Sequence, residues 1–300
     1  MKMLITGGTG LLGSECARVL AEGNQVWAPG SHDLDITSVK ALARAFACSA
    51  PEVVINCAAF TDVDACEQER EQAWRVNVVG TQNLATHCRR YGSLLVHLST
   101  DYIFDGTKPL PEGYVEEDLP APLSFYGATK LESERVVQST TEVYCIVRTA
   151  WLYGIRRNNF LKKILARVAA QPHQEIQVVA DRFGSPTWAR RLAQQIARII
   201  ASGERGIFHA TAQGFCSWYE FACFFLAQLG IPHRIVPCSG SSYPAAAPRP
   251  VNSLLSNKRL MDLGIASMRH WQEDVRAFVQ ESREELLLEA GLPVIESITD

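Results

Sequence analysis

Charge of one sign is scarce in this chain: 29 Lys and Arg stand against 32 Asp and Glu, a net charge of −3. No basic block interrupts that balance, so the electrostatic footprint of a nucleic-acid-binding protein is missing. An anionic ligand must be met by a few local groups and helix N-termini, not by a global field. Long apolar runs are missing as well, and none reaches membrane-spanning length. The opening residues run straight into strand-like Met3-Leu4-Ile5, which predicts no signal peptide. The nine cysteines are odd in number, scattered, and contain no CxxC pair. That spacing speaks against a disulfide framework or a thiolate zinc site. It predicts reduced, mostly buried thiols in a cytoplasmic protein. There is no internal repeat and no low-complexity tract.

What remains is ordinary globular material, 47% hydrophobic and 20% charged over 300 residues, enough to bury a large core without staples. The first half alternates strand and helix signals. Strands are predicted at Met3–Thr6, Gln25–Ala28, Val53–Cys57, Leu94–Leu98 and Tyr144–Val147. Helices are predicted at Leu11–Ala21, Ser38–Ala47, Glu69–Tyr91 and Phe125–Gln138. This alternation implies right-handed crossovers and a doubly wound parallel sheet of the Rossmann type, an α/β fold. The second half is less regular. Helices are expected at Phe160–Ala170, Arg190–Ala201, Trp218–Leu229 and Trp271–Ala290, strands at Ile176–Val179 and Ile207–Ala210, and a Pro- and Ser-rich loop over 237–250. The expected organisation is a nucleotide-binding domain over 1–150, completed by a segment near 185–215, with 151–300 mainly a smaller mixed α/β substrate lobe. The boundary near 150 is soft, because Ile207–Ala210 could return to the main sheet.

Gly7, Gly10 and Gly13 form GxxGxxG at the first strand-to-helix turn. The pattern alone is weak, and a tight turn without ligand is the plainer reading. At this position in an alternating fold it points to a dinucleotide diphosphate held by backbone N–H groups at a helix N-terminus. Gly7, Thr9, Gly10, Leu11, Leu12 and Gly13 are therefore candidate cofactor-binding residues. The end of the second strand reads Ala28-Pro29-Gly30-Ser31-His32. It offers neither the carboxylate that grips an adenosine 2′-hydroxyl nor an Arg for a 2′-phosphate, so NADH and NADPH both stay open. Asp35 and Ile36 are candidates to line the adenine, with Asp35 as a cap of the next helix the alternative.

Tyr126 and Lys130 stand four apart on a predicted helix and so share a face. A carbonyl reduction needs a proton donor at the new alkoxide. Lowering a phenol from a pKa of roughly 10 to about 7 takes about 4 kcal/mol of differential stabilisation, for which a nearby ammonium is a source. By itself this pair is common surface chemistry. Its weight comes from Ser99-Thr100-Asp101, which follows the fourth strand at the carboxyl edge, where open α/β sheets bind ligands. Thr100 offers a hydroxyl to a substrate carbonyl. Asn77, inside the preceding long helical stretch, is a candidate to bend it and to hold a water.

These residues resemble the extended short-chain dehydrogenase/reductase superfamily, whose Asn, Ser or Thr, Tyr and Lys tetrad falls here on Asn77, Thr100, Tyr126 and Lys130. A closer resemblance runs nearly end to end, to the dTDP-4-dehydrorhamnose reductase family. It rests on GGTGLLG (Gly7 to Gly13), LDIT (Leu34 to Thr37), VVINCAAFTDVD (Val53 to Asp64), LSTDYIFDG (Leu98 to Gly106), YGATKLESE (Tyr126 to Glu134), RTAWLYG (Arg148 to Gly154), NNF (Asn158 to Phe160), DRFGSPT (Asp181 to Thr187) and APRPVNSLL (Ala247 to Leu255). STDYIFDG and RTAWLYG are its most specific stretches. Arg182-Phe183 departs from the family's usual Gln, and the second strand lacks its usual Arg. Both departures touch ligand choice more than reaction type.

The resemblance implies NAD(P)H-dependent reduction of the C4 keto group of dTDP-4-dehydro-L-rhamnose, with NADPH or NADH as cofactor. Tyr126 would protonate the oxyanion while Lys130 holds the ribose and lowers the Tyr pKa, and Asn77 would relay protons through water. It places Ala58 and Ala59 on the cofactor, and Trp151 and the segment around Arg249 on the substrate side. Core packing remains open for Trp151, and a solvated side chain for Arg249. Asp101 is expected to position Thr100 or the sugar, and Asn159 is a further substrate candidate. His97, inside an apolar strand, reads as a satisfied core histidine. Some relatives hold a divalent ion between subunits through Glu residues. Glu15 matches one of these, but no others can be placed, so no metal is expected. The partners expected are the nucleotide-sugar substrate and, among the alternatives, a second copy in a homodimer. Neither nucleic acid nor membrane is expected. Two rival functions are a different nucleotide-sugar reductase, epimerase or dehydratase, and a non-catalytic regulatory subunit resembling that of methionine adenosyltransferase. The complete tetrad speaks against the second. The missing Glu beside Asp101 speaks against a dehydratase.

Overall fold

The structure is a computed structural model and describes residues 1–242 and 245–293. Tyr243 and Pro244, within the loop expected over 237–250, lie outside the described residues, as do residues 294–300.

The first half builds a parallel sheet. Strands β1 (Lys2–Thr6), β2 (Gln25–Trp27), β3 (Val53–Asn56), β4 (Leu94–Thr100) and β5 (Tyr144–Thr149) alternate with helices. These are α1 (Leu11–Leu20), α2 (Val39–Ser49), α3 (Val63–Gln68), α4 (Arg70–Trp74), α5 (Thr81–Tyr91) and α6 (Phe125–Thr140). The second half contributes β6 (Leu152–Tyr153), α7 (Phe160–Ala170), β7 (Ile176–Val179), β8 (Phe183–Gly184), β9 (Thr187–Trp188), α8 (Ala189–Ser202) and β10 (Gly206–His209). It continues with β11 (Cys216–Ser217), α9 (Trp218–Leu229), β12 (Ile235–Cys238), α10 (Lys258–Asp262) and α11 (Trp271–Glu289). Strand order in the main sheet is β10-β5-β4-β3-β1-β2, all parallel. The segment Gly206–His209 thus returns to the main sheet beside β5.

Alternation along each strand sorts the side chains to two faces. Met3 and Ile5 join Val96, Val147 and Phe208 under α1 and α8. Leu4 joins Val54, Leu95 and Ile146 under α2, α5 and α6. With both faces covered, the strands read as near-continuous apolar runs. A second core unites α7, α9 and α11 with β7 and β12 around Tyr153, Phe221, Phe225 and Phe278.

Three expectations are corrected. The helix predicted over Glu69–Tyr91 is broken: Glu69 leaves helical backbone (φ −107°, ψ 48°), and Arg75–Gly80 form a π turn ahead of α5. The wider turn delivers Asn77 to two other segments, a demand that apolar periodicity does not carry. Asp35 does not cap α2. Ser38 does, accepting from Ala41 N, while Asp35 is exposed and closes a turn onto the N–H and hydroxyl of Thr37. Strand β4 runs two residues further than expected, so Thr100 is its last member, paired with Thr149.

Candidate active site

Strand order reverses direction between β1 and β3, which opens a crevice at their carboxyl ends. The glycine loop lies there. Gly7 has φ +66°, and a Cβ on Gly13 would stand 2.2 Å from the Gly7 carbonyl oxygen. A Cβ on Gly7 itself would meet Ala58 N at 2.9 Å, which brings the half-buried Ala58-Ala59 segment against the loop. At the loop's root the Thr6 hydroxyl donates to Asn56 Oδ1 over 2.7 Å. Gly10 is the N-cap of helix α1, which has no side-chain cap and no acidic residue in its first turn. Its first amides and partial positive charge are left to the loop, where Thr9, Leu11 and Leu12 stand, an arrangement suited to a diphosphate. Ile36 is buried beneath Gly80. Five buried side-chain oxygens lack a partner among the described residues, and three of them, Ser99 Oγ, Asp101 Oδ2 and Thr149 Oγ1, sit at the carboxyl ends of β4 and β5. A nicotinamide dinucleotide fits this crevice.

Helix α6 carries Tyr126 and Lys130, and local sequence fixes its start. Ser124 caps it by accepting from Gly127 N, and Phe125 N donates to Glu67 Oε1 over 2.7 Å. Gly127 is required by packing: a Cβ there would lie 2.1 Å from the Tyr102 carbonyl oxygen. The first turn of α6 therefore presses on the 3-10 turn Asp101–Ile103, and the Tyr126 and Tyr102 rings meet edge to face at 6.0 Å. The Thr100 hydroxyl donates to Asp101 Oδ1 over 2.9 Å and accepts from Tyr102 N. The expected positioning of Thr100 by Asp101 is thus present as a hydrogen bond. Burial pushes the Asp101 carboxyl up to about 7, against the pull of Ser253 and Thr100. Its Oδ2 has no partner in hydrogen-bonding geometry, although the Ser253 hydroxyl stands beside it.

The expected lowering of the Tyr126 phenol by Lys130 is not found. Burial first, then the Asp101 carboxylate, hold the phenol above its ordinary value, and Thr100 pulls weakly the other way. Lys130 is itself only 3% exposed, and burial lowers its ammonium to about 8 despite Glu134 and Cys57.

Beneath Lys130 the hydrogen bonds determine a histidine tautomer. The Thr81 hydroxyl donates to the Asn77 carbonyl over 2.7 Å, so Thr81 Oγ1 can only accept from Asn56 Nδ2. Asn56 Nδ2 therefore also faces His97 Nδ1, at 3.2 Å, as a donor. Ser133 Oγ donates to the Lys130 carbonyl and must accept from His97 Nε2, 2.8 Å away. His97 is then neutral with its proton on Nε2, and Lys130 Nζ, 3.5 Å from that nitrogen, meets a donor rather than an acceptor. Burial and then the Lys130 charge keep His97 well below its ordinary value. The expected core histidine is satisfied, but it also forms the floor under Lys130.

Asn77 provides the expected bend. Its amide accepts from Phe60 N and donates to Phe60 O and Thr129 Oγ1, stapling the segment after β3 to α6. A second anchor is fully buried. Arg148 of β5 grips Glu134 of α6 with Nη2 to Oε2 at 2.7 Å and Nε to Oε1 at 3.0 Å, while Nη1 reaches the Glu116 carbonyl and His209 Nε2.

On the substrate side, Trp151 follows β5 with φ +46° and stacks on Trp218 at 3.5 Å between ring centres. Gly184 leaves room for its indole, since a Cβ there would lie 2.4 Å from the ring. Arg249 forms a two-pronged pair with Asp64 and donates to the Ala247 carbonyl. Its guanidinium also neighbours the Tyr102 hydroxyl. Asn159 departs from its expected role: it caps α7 through Lys162 N, and its amide donates to the Gly154 carbonyl. Glu15 pairs with Arg18 and Arg190. No group of three potential metal ligands occurs among the described residues.

Sequence reasoning missed Asp64, Glu134 and the place of His97 beneath Lys130. Asp64 and Glu134 stand within quoted motif stretches, but their partners are remote in the chain. Only the His97 within an apolar strand and the i, i+4 spacing of Lys130 and Glu134 were local signals.

Known proteins share this fold. Residues 1–284 match the family model described as the RmlD substrate binding domain. A dTDP-4-dehydrorhamnose reductase of Burkholderia thailandensis is 38% identical, covering 94% of this chain and 99% of its own. Among solved structures, a dTDP-4-dehydrorhamnose reductase from Clostridium acetobutylicum superposes with a TM-score of 0.90 at 39% identity, covering 94% of this chain and all of its own. One from Bacillus anthracis in complex with NADP gives 0.89 at 37%, with the same coverage. The chain belongs to the dTDP-4-dehydrorhamnose reductase (RmlD) family.

Proposed function

We propose that this chain is an NAD(P)H-dependent reductase of the C4 keto group of dTDP-4-dehydro-L-rhamnose, yielding dTDP-L-rhamnose. The observation that carries the reading is the meeting, at the carboxyl edge, of Thr100 at the end of β4 with the first turn of α6, which sets half-buried Tyr126 against the Asp101–Ile103 turn and carries Lys130 one helical turn further on. Bound dinucleotide supplies the hydride. The glycine loop with Thr9, Leu11 and Leu12 binds the diphosphate, and Ala58, Ala59, Asp35 and Ile36 flank it. Lys130 offers its N–H donors to ribose hydroxyls, because His97 below accepts none of them. Tyr126 gives its proton to the developing C4 oxyanion. Thr100 hydrogen-bonds that oxygen when the Asp101 carboxyl is protonated and donates to the Thr100 hydroxyl, freeing its hydrogen. Asn77 fixes α6 and the segment after β3 in register. Trp151 and Arg249 border the sugar nucleotide.

A homodimer in the cytoplasm, without nucleic acid or membrane, completes the reading, and sedimentation checks the dimer. The decisive assay follows absorbance at the reduced-cofactor band with dTDP-4-dehydro-L-rhamnose, with identification of the product. Tyr126→Phe is expected to lose at least ~10²-fold in kcat with its melting temperature kept. Near-normal turnover would remove Tyr126 from the role. No turnover by the parent chain, with co-purification of a methionine adenosyltransferase, would favour the regulatory alternative.

A further inference from the structure

We propose that Arg157 is the cofactor's phosphate reader: its guanidinium grips a 2′-phosphate on the adenosine ribose and makes the chain select the phosphorylated dinucleotide. The inference rests on the glycine loop being the dinucleotide site.

The second strand ends without the arginine that such a phosphate needs, so the cation must come from elsewhere in the chain. Arg157 comes from the second half, between β6 and α7, and reaches back 148 positions. Its Nε donates to the Thr9 carbonyl over 3.2 Å and its Nη2 to Thr9 Oγ1 over 3.3 Å. Thr9 in turn lies against the end of β2: a Cβ on Gly30 would stand 3.0 Å from Thr9 Cγ2 and 3.2 Å from Thr9 Oγ1. Arg157, Thr9 and Gly30 are thus gathered where a doubly wound fold places the adenosine ribose.

Two further observations set Arg157 apart from an idle surface arginine. Its backbone has φ +61°, a left-handed conformation disfavoured for a residue with a Cβ. The segment is held there by Asn159 Nδ2, which donates to the Gly154 carbonyl at 2.7 Å and to Arg157's own at 3.5 Å, and by Lys162 Nζ on the Ile155 carbonyl. The side chain is exposed and pairs with no carboxylate among the described residues. Contacts to Thr9 use one edge of the guanidinium and leave Nη1 for a phosphate, for which the planar fork is well shaped. The competing group is Asp33, whose Oδ2 would lie 3.7 Å from a Cβ on Gly30. A carboxylate there suits an unmodified ribose diol instead.

The test is calorimetric titration of the purified chain with NADPH and with NADH, no sugar present. The parent is expected to bind NADPH more tightly. Arg157→Ala should weaken NADPH binding about tenfold to a hundredfold, the worth of one or two charge-assisted hydrogen bonds, with a loss on NADH at least tenfold smaller. Arg157→Gly, which suits the left-handed backbone, should behave the same and separates lost charge from a disturbed loop. Equal losses on both cofactors, or none, overturn the proposal. So does a parent that prefers NADH and loses that preference in Asp33→Asn. If the parent binds neither dinucleotide, the cofactor reading itself fails along with the proposal.

Discussion

Replacing Asp101 by Asn should stabilise this protein, and by an amount that depends on pH. Asp101 is 2% exposed, and its carboxyl rises from an ordinary value of 3.8 to about 7. Burial dominates that rise, so the folded state disfavours the charged form. Below pH 3.8 the group is neutral in both states and costs nothing. Between 3.8 and 7 the unfolded chain loses its proton first, and the cost of folding grows. Above 7 it is complete, at about 4 kcal/mol for a shift of about three units. Asn keeps the shape and an acceptor for the Thr100 hydroxyl but carries no charge. The variant should therefore gain about 1.5 kcal/mol at pH 5 and up to about 4 kcal/mol at pH 8, by the same linkage. Tyr126, Tyr102, Ser253 and, through Tyr102, Arg249 are the groups facing this carboxyl, and all remain in the variant. Urea denaturation of both proteins at pH 5, 6.5 and 8 measures the difference. A gap that stays constant across this range, or a less stable variant at pH 8, would refute the reasoning. The same carboxyl reaches the chemistry. When ionised it can only accept the Thr100 hydrogen bond, leaving Thr100 no hydrogen for a substrate oxygen, whereas the neutral carboxyl can donate to Thr100 instead. Reduction by the parent should then decline as pH rises through about 7, and the decline should flatten in Asp101→Asn.

Two other outcomes test how α6 is held. Gly127→Ala puts a methyl 2.1 Å from the Tyr102 carbonyl oxygen, which is backbone and cannot swing aside. It should cost about 1–3 kcal/mol in denaturant titration, and lower kcat more than it raises KM, because Tyr126 shares that turn. Removing one partner of the buried Arg148–Glu134 pair, by Arg148→Met or Glu134→Gln, should cost about 3–5 kcal/mol. The double variant should recover a large part of that loss in the same assay, which an unpaired role for either residue would not allow.

The legible part of this protein was the part written in local spacing. Strand and helix alternation identified the five strands β1 to β5 and the return of β10. GxxGxxG, STD and the Tyr126–Lys130 spacing marked three carboxyl-edge segments that the fold does bring together. Each of those signals spans fewer than a dozen residues and reflects a period or a turn that any chain must obey. A bend at Asn77 was legible, but not the π turn at Arg75–Gly80 that makes it, because its cause is tertiary: Asn77 must reach Phe60 and Thr129 at once. Nor were Arg157 with Thr9, Arg249 with Asp64, or Arg148 with Glu134 and Glu116. Their partners lie between 14 and 185 positions away, and no period connects them.

This division has a physical meaning for the site. The groups expected to touch the reacting atoms sit on short segments at strand ends, where backbone geometry alone decides their placement. The groups that set their ionisation come from elsewhere. Lys130 is lowered by burial beside His97, whose tautomer is dictated from Thr81 through Asn56. Thr100 depends on a carboxyl whose charge depends on what packs over it. Motif spacing can therefore locate a phenol, an ammonium and a hydroxyl, but it cannot say whether the phenol is held acidic or held loaded. Here burial and Asp101 hold it above its ordinary value in the chain alone, so the lowering that efficient proton transfer requires must come from groups that join the site on binding.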